Sequence, residues 1–224
     1  SKSGSSDLLE AAGVEIMLKP AQVGQCIAKL GVGFMFAPAH HSAMKHAIGP
    51  RREMAIRTLF NILGPLTNPA GAPHQVLGVF SRQWQLPMAQ VLKRLGSKHV
   101  MVVHSEDGLD EISIAAPTHV VELKNGEINQ YTIDPKDYNL SHPSLAPLVV
   151  NDAVSSLGLI KQAFAGIAGA PLDMLLLNAG AAIYSADLAP DLAAGIEQAR
   201  TAIDSGAAQQ KLDDLIQMTQ GLNS

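Results

Sequence analysis

The sequence has one cysteine, few aromatic residues and few charged ones. Cys26 cannot close a disulfide within the chain, and no cysteines and histidines have zinc-module spacing, so neither a secreted scaffold nor a zinc module is indicated. A cytoplasmic location fits this cysteine content best. Charged residues make up 16% of the chain and the net charge is −4, which is too mild for a nucleic-acid binder that depends on bulk electrostatics. We therefore expect no nucleic-acid partner, and any anionic ligand must be held locally.

Long apolar runs are also missing. The longest mainly apolar stretch, at 174–183, is too short for a bilayer and is interrupted by Asn178 and Gly180. Residues 1–7 lack the apolar core of a signal peptide and lead directly into a helix-start pattern. We expect no membrane partner, and we interpret the chain as a piece of a longer protein.

Aliphatic residues are plentiful, and their pattern predicts an α/β fold. Apolar residues make up 47% of the 224 residues, and the length favours one large α/β domain over residues 1–224. Strands are predicted at 75–80 and 99–104 with a helix at 87–95 between them, which is typical of a parallel sheet with crossover helices. Another buried strand is predicted at 33–36. The expected architecture is a central, mostly parallel sheet flanked by helices.

The second half of the chain adds a hairpin and a run of helices. Asn125-Gly126, the strongest hairpin signal present, lies between strand patterns at 112–123 and 127–133 and predicts a small antiparallel appendage. Four helical patterns close the chain, at 152–164, 171–184, 191–204 and 207–220.

The first seven residues could bind an anion. Asp7 and Glu10 have the spacing of a capping box and Gly13 can end the helix, so Ser5 lies at a predicted helix N-terminus. Small hydroxyl residues and Gly4 would let a phosphate approach the helix amides. An ordinary serine-rich cap is the alternative interpretation.

Four carboxylates follow the strand at 99–104, within residues 106–111. They lie at its carboxyl end, where open α/β sheets place their ligands. Asp110 and Glu111 are plausible ligands for a magnesium–pyrophosphate complex, because magnesium uses one or two protein carboxylates and completes its shell with water and phosphate. A solvated acidic turn is the alternative.

Basic residues are concentrated at 40–52, and two proline turns follow at 64–69. Arg51 and its neighbours could bind a small carboxylate through the planar guanidinium, although a surface helix with ordinary charges is the alternative. Gly64 could let a flat ligand approach the backbone, although a structural turn is the default.

These motifs together resemble the anthranilate phosphoribosyltransferase family of tryptophan biosynthesis. The resemblance covers nearly the whole chain and rests on SKSGSSD at 1–7, GPRRE at 49–53, RTLFNILGPLTNPA at 57–70, DGLDE at 107–111, LLLNAGAAIY at 175–184 and AIDSGAA at 202–208. The family transfers the phosphoribosyl group of phosphoribosyl pyrophosphate to anthranilate and releases pyrophosphate with magnesium present. The resemblance implies a nucleoside phosphorylase/phosphoribosyltransferase-like catalytic domain and a homodimer.

The resemblance also assigns roles residue by residue, with no catalytic nucleophile or general base among them. Ser1 and Ser5 match positions that bind phosphoribosyl pyrophosphate, and Asp110 and Glu111 match the magnesium ligands. The positions that match the anthranilate site are Arg51, His41, Gly64 and Pro65.

One departure from the family pattern is large. The family carries a small helical domain, a GTGGD phosphate loop and a KHGNR segment upstream of the position that Ser1 matches. We expect residues 40–62 to pack against that small domain, and we expect the 224 residues alone to have little or no transferase activity. Two alternatives stay open: a pyrimidine nucleoside phosphorylase-like enzyme, and a noncatalytic binding or assembly module.

Overall fold

The computed structural model describes residues 4–40 and 64–222. In chain order the described helices and strands are α1 (Ser5–Ala12), α2 (Pro20–Leu30), α3 (Ala37–His40), β1 (His74–Gly78), α4 (Gln85–Arg94), β2 (His99–Ser105), β3 (Thr118–Lys124), β4 (Glu127–Ile133), α5 (Ala153–Phe164), α6 (Ala170–Ser185), α7 (Leu192–Asp204) and α8 (Ala207–Leu222). Short 3-10 helices occur at Arg82–Trp84, Pro135–Tyr138 and Ala146–Leu148. None of the described helices is both long enough and apolar enough to cross a bilayer.

The four strands form one mixed sheet in the order β1-β2-β3-β4. β1 and β2 are parallel, with His74 opposite His99 and Gly78 opposite Val103, and α4 makes the crossover between them. β3 pairs antiparallel with β2 and with β4. The α/β class is therefore confirmed. In the described residues, however, one strand pairing is parallel and two are antiparallel, because the predicted appendage continues the main sheet.

The hairpin between β3 and β4 turns at the predicted dipeptide. Lys124 pairs with Glu127, which leaves Asn125 and Gly126 as a two-residue turn with φ of 53° and 79°. Positive φ at both positions is the signature of a type I′ turn, and asparagine and glycine tolerate it best.

Helices cover both faces of the sheet around β2, while the edge strand β4 is mostly exposed. β2 is buried along its length, since Met101 and Val103 pack with α6 and α7 while Val100 and Val102 pack with α4. On the first face Leu176 and Leu177 of α6 are fully buried. On the second face Met88 and Leu92 of α4 fill the same role. These contacts fix the sheet between two apolar layers.

Helices α6 and α7 approach each other closely at two glycines. A methyl group on Gly180 would lie 2.6 Å from Cγ1 of Ile196 and 2.7 Å from its backbone nitrogen. Gly195, one residue earlier on α7, faces the Gly180 carbonyl. Only residues without a side chain fit at this crossing, which explains the glycine within the 175–184 motif.

The two ends of the chain pack together in a separate apolar cluster. α2 and α8 bury Val23, Cys26 and Leu215, and the Lys211 ammonium donates a 2.8 Å hydrogen bond to the Leu30 carbonyl. The strand predicted at 33–36 is wrong. These residues are half-buried irregular chain without a strand partner among the described residues, because their side chains pack into this cluster.

Helix α1 begins earlier than the capping-box spacing of Asp7 and Glu10 predicts. The residue at its N-cap is Gly4, and Asp7 lies within the first turn, where its carboxylate accepts a 2.7 Å hydrogen bond from the Gly4 amide. Asp7 is therefore the third helical residue, whose side chain caps the helix by accepting from the N-cap amide, and it is not the N-cap residue itself. Gly13 ends the helix with φ of 100°, as expected.

Candidate functional site

The loop between β2 and β3, residues 106–117, lies at the carboxyl end of the parallel strand pair. It carries the four carboxylates within 106–111 that the sequence analysis identified: Glu106, Asp107, Asp110 and Glu111. Ser105, the last residue of β2, begins the loop with a tight turn: its carbonyl accepts from Gly108 N–H, and its own N–H donates to the Leu109 carbonyl, each at 3.0 Å. This turn holds the acidic residues at the strand end, where open α/β sheets bind ligands.

Two of the four carboxylates have internal partners. The Glu106 carboxylate lies 3.2 Å from Nε2 of His119 on β3. The Asp107 carboxylate accepts a 2.5 Å hydrogen bond from the Ser113 hydroxyl and a 3.3 Å bond from the Leu109 amide. These two acids therefore maintain the shape of the loop.

The other two carboxylates, Asp110 and Glu111, are exposed and make no hydrogen bond or ion pair with the described residues. The pKa of Glu111 is raised, first because the surrounding protein partly desolvates its carboxyl group and second because Asp110 carries a like charge. Two adjacent oxygen donors whose charges repel are suited to a hard divalent cation, which would relieve that repulsion.

The backbone beneath this acidic pair is held on both sides. A methyl group on Gly78, at the end of β1, would lie 2.7 Å from the carbonyl carbon of Asp110, so the loop packs directly against the strand. On the other side Ile112 is fully buried, and both its backbone polar groups bond to the Asn178 side chain of α6. Asp110 and Glu111 thus project from a fixed stretch of chain.

The remaining predicted site residues are dispersed or lie outside the described ranges. Ser5 lies in the first turn of α1, which packs against α5. Pro65 lines a shallow pocket with Leu95 and Gly96 at the amino ends of β1 and β2, the opposite end of the sheet from the acidic pair, and Gly64 lies beside it in the chain. Three predicted residues lie outside the described residues: Ser1, His41 and Arg51.

Sequence reasoning missed a polar cluster at that opposite end of the sheet. His99 is 1% exposed and bridges two carboxylates, with Nε2 2.8 Å from Glu122 and Nδ1 2.7 Å from Asp187. The hydrogen bond from His99 lowers the pKa of Asp187. His74 joins the cluster, and the Lys124 ammonium lies 3.9 Å from Asp187. No local pattern indicates this cluster, because its members come from four distant segments.

Comparison with known proteins decides the family. The model of the glycosyl transferase family, a/b domain, matches residues 1–209. The chain belongs to this family. The resemblance drawn from the sequence motifs is therefore confirmed, and residues 106–117 are a loop of a glycosyl transferase a/b domain.

Relatives within the glycosyl transferase family are similar over nearly the whole chain. The anthranilate phosphoribosyltransferase of Thioalkalivibrio sulfidiphilus is 61% identical over 219 residues, which cover 98% of this chain and 65% of the relative. That of Stutzerimonas stutzeri is 59% identical, with 97% of this chain and 64% of the relative covered. The chain thus spans slightly less than two thirds of the length of these relatives.

Solved structures agree with the fold. Anthranilate phosphoribosyltransferase from Thermus thermophilus superposes with a TM-score of 0.88 at 40% identity, covering 98% of this chain and 65% of that one. The Saccharomyces cerevisiae enzyme in complex with PRPP and Mg superposes with a TM-score of 0.87 at 23% identity, covering 97% and 63%. The second likeness shows the fold alone.

Proposed function

We propose that the chain is the a/b domain of an anthranilate phosphoribosyltransferase, which transfers the phosphoribosyl group of phosphoribosyl pyrophosphate to anthranilate and releases pyrophosphate. The observation that carries the proposal is the pair Asp110 and Glu111, two carboxylates without partners in the described residues at the carboxyl end of the parallel strands. The names of relatives at 61% and 59% identity support the same reaction.

Magnesium fits the donor set of this pair. Magnesium prefers oxygen ligands, usually takes one or two protein carboxylates, and leaves its other positions to water and substrate phosphates. Asp110 and Glu111 supply those carboxylates on an exposed, backbone-anchored stretch. When bound, the ion would neutralise the charge that develops on the departing pyrophosphate.

The protein's own part in the reaction is electrostatic and positional. Positive charge develops on the ribose and negative charge on the leaving group, so no covalent nucleophile is required. In this proposal Ser1 and Ser5 bind phosphoribosyl pyrophosphate. The anthranilate carboxylate is held by Arg51. His41, Gly64 and Pro65 are assigned to the same site by the motif match, although Gly64 and Pro65 lie at the opposite end of the sheet from the acidic pair. Orientation matters because the aromatic amine is a weak nucleophile.

We further propose that the protein acts in tryptophan biosynthesis as a cytoplasmic homodimer, with residues 40–62 packed against a small helical domain. Size-exclusion chromatography with light scattering tests the dimer, and a monomer at all concentrations would contradict it.

The decisive experiment removes the two metal-site charges in the natural full-length gene product. In the double variant Asp110→Asn, Glu111→Gln we expect turnover to fall on the order of 10²-fold or more, with a weakened response to magnesium. The matched control is Asp213→Asn, Asp214→Asn, which removes two adjacent acids from α8. Wild-type magnesium response in the Asp110/Glu111 variant would refute the assignment.

Two further assays separate the proposal from its alternatives. Phosphorolysis of thymidine or uridine without transfer to anthranilate would establish a nucleoside phosphorylase instead. Absence of both activities in the natural gene product, with binding of phosphoribosyl pyrophosphate retained, would establish a noncatalytic module. The 224 residues assayed alone are expected to show little or no transfer.

A further inference from the structure

We propose that Asn178 is a positioning residue that fixes Asp110 and Glu111 in the geometry needed to bind a divalent cation with phosphoribosyl pyrophosphate. The inference rests on the proposed function of that acidic pair. Asn178 lies in the middle of α6 and reaches across to Ile112, the residue that follows Glu111. It does not itself touch the cation.

The contact is a two-point bond between a side-chain amide and a backbone peptide. The Asn178 Oδ1 accepts a 3.0 Å hydrogen bond from the Ile112 N–H, and the Asn178 Nδ2 donates a 2.9 Å bond to the Ile112 carbonyl. A primary amide is the side-chain group that offers an acceptor and a donor side by side, so this contact requires its chemistry.

The amide is itself held in place by its own helix. Its second Nδ2 hydrogen donates a 3.0 Å bond to the Met174 carbonyl, one turn earlier on α6. The helix is anchored by Leu176 and Leu177, both fully buried against the sheet. The position of Ile112 is therefore set by the rigid packing of α6 on the core.

This restraint reaches the acidic pair because the chain between its two fixed points is short. Asp110 is fixed at its carbonyl by the close approach of Gly78, and Ile112 is fixed by Asn178. Only Glu111 lies between them. Loss of the amide removes the two hydrogen bonds that set the orientation of the Ile112 peptide, so the two carboxylates lose their relative placement.

The loop has other bonds that keep it folded when the amide is removed. The Ser113 amide donates a 3.1 Å bond to the Thr118 hydroxyl, and the Ser113 hydroxyl bonds to Asp107. The side chain of Ile112 stays in the core. We therefore expect variants at Asn178 to fold and to lose cation affinity selectively.

The test uses Mn²⁺ as a paramagnetic probe in the natural full-length gene product. Asn178→Leu keeps the side-chain size and removes both bonds, and Asn178→Ala removes them without crowding if the leucine variant folds poorly. Electron paramagnetic resonance titration of Mn²⁺ with phosphoribosyl pyrophosphate should show affinity weakened about 10- to 100-fold, the range for loss of a group that orients a metal ligand. The magnesium activation constant should rise in parallel while the KM for anthranilate stays near wild type.

A matched control is available on the other face of the sheet. The Gln85 amide donates two hydrogen bonds to backbone carbonyls, 2.8 Å to Val102 and 2.7 Å to His119, and is 2% exposed. Gln85→Leu removes two buried amide-to-backbone bonds, as many as Asn178→Leu removes at Ile112. It should lower stability and leave Mn²⁺ affinity unchanged, which separates positioning from general destabilisation.

Hydrogen–deuterium exchange supplies a readout independent of the metal. The peptide that contains the Ile112 amide should exchange faster in Asn178→Leu and at the wild-type rate in Gln85→Leu. Faster exchange with wild-type Mn²⁺ affinity would overturn the positioning role. If Asp110→Asn, Glu111→Gln also leaves Mn²⁺ affinity unchanged, the proposed function fails; if that variant abolishes binding and Asn178→Leu does not weaken it, this inference alone fails.

Discussion

Replacing Gly78 with alanine should displace the acidic pair without changing a charge. Gly78 is the last residue of β1, and its φ lies outside the left-handed region, so alanine can adopt its backbone conformation. The added methyl group would overlap the Asp110 carbonyl oxygen, and it would lie 2.7 Å from the carbonyl carbon and 3.1 Å from the Cβ of Asp110. Because backbone cannot rotate away as a side chain can, either the loop or the strand must move.

The size of that movement follows from ordinary contact distances. The carbonyl oxygen of Asp110 sets this movement, because a carbon and an oxygen in contact lie about 3.2 Å apart and the added methyl group would overlap that oxygen. The loop must therefore move by more than about 1 Å. Metal and catalytic groups must be placed within about 0.5 Å of their productive geometry. A misplacement near 1 Å can cost on the order of 10²-fold in rate, and overpacking costs about 1–3 kcal/mol of stability.

The assay compares two alanine variants in the natural full-length gene product. Gly24→Ala is the control, since Gly24 is exposed on α2 and a methyl group there meets nothing within 4 Å. We expect Gly78→Ala to lower turnover by about 100-fold or more and to weaken Mn²⁺ binding, while Gly24→Ala leaves both unchanged. A folded Gly78→Ala protein with wild-type turnover and Mn²⁺ affinity would refute the reasoning.

Three further predictions concern stability. Gly180→Ala should lower the free energy of unfolding by about 1–3 kcal/mol in urea titration, because its methyl group meets the Ile196 backbone at 2.7 Å, and an unchanged midpoint would contradict this. His99→Leu should lower the free energy of unfolding by about 1–3 kcal/mol, because the buried Glu122 carboxylate loses its 2.8 Å bond to His99 while it keeps its bond to Tyr184; no measurable loss would count against it. Burial raises the pKa of Tyr184 above its usual value of 10.0, and the hydrogen bond to Glu122 raises it further. Above about pH 10 the unfolded chain loses this proton while the folded state keeps it, so stability falls as pH rises. In Tyr184→Phe, urea titrations between pH 9 and 11 should show a shallower fall, and an identical slope would disprove the link.

Elements with local signals were predictable from the sequence. The turn at Asn125-Gly126 needs two residues that accept positive φ, and the dipeptide indicates it directly. Asp152 and Asp191 were predicted at the starts of α5 and α7, where their carboxylates accept hydrogen bonds at 2.7 and 2.8 Å from amides three residues later.

Long-range pairing was not predictable in the same way. The apolar residues at 33–36 have the composition of a strand, yet they find no partner strand among the described residues, because what they contact is α2 and α8. The pattern at 112–123 was also too long for one strand. Ile112 and Ile114 are buried by the loop, while β3 begins at Thr118.

The candidate site also has parts with a local sequence signal and parts that depend on long-range contacts. The acidic residues were visible as a run after a buried strand, and their type predicts the metal. The sequence does not show that Asp107 and Glu106 already have partners within the protein. Only the folded chain brings Ser113 to Asp107 and His119 to Glu106. The Asn178 contact, across 66 residues of sequence, has no local signal.

The most direct test of the central claim is a crystal structure of the natural full-length gene product with phosphoribosyl pyrophosphate and Mn²⁺, using the anomalous signal to locate the ion. We predict an ion with carboxylate oxygens of Asp110 and Glu111 at about 2.1 Å, and with pyrophosphate oxygens and water in its remaining positions. An ion bound to the pyrophosphate by other residues, with Asp110 and Glu111 solvated, would contradict it.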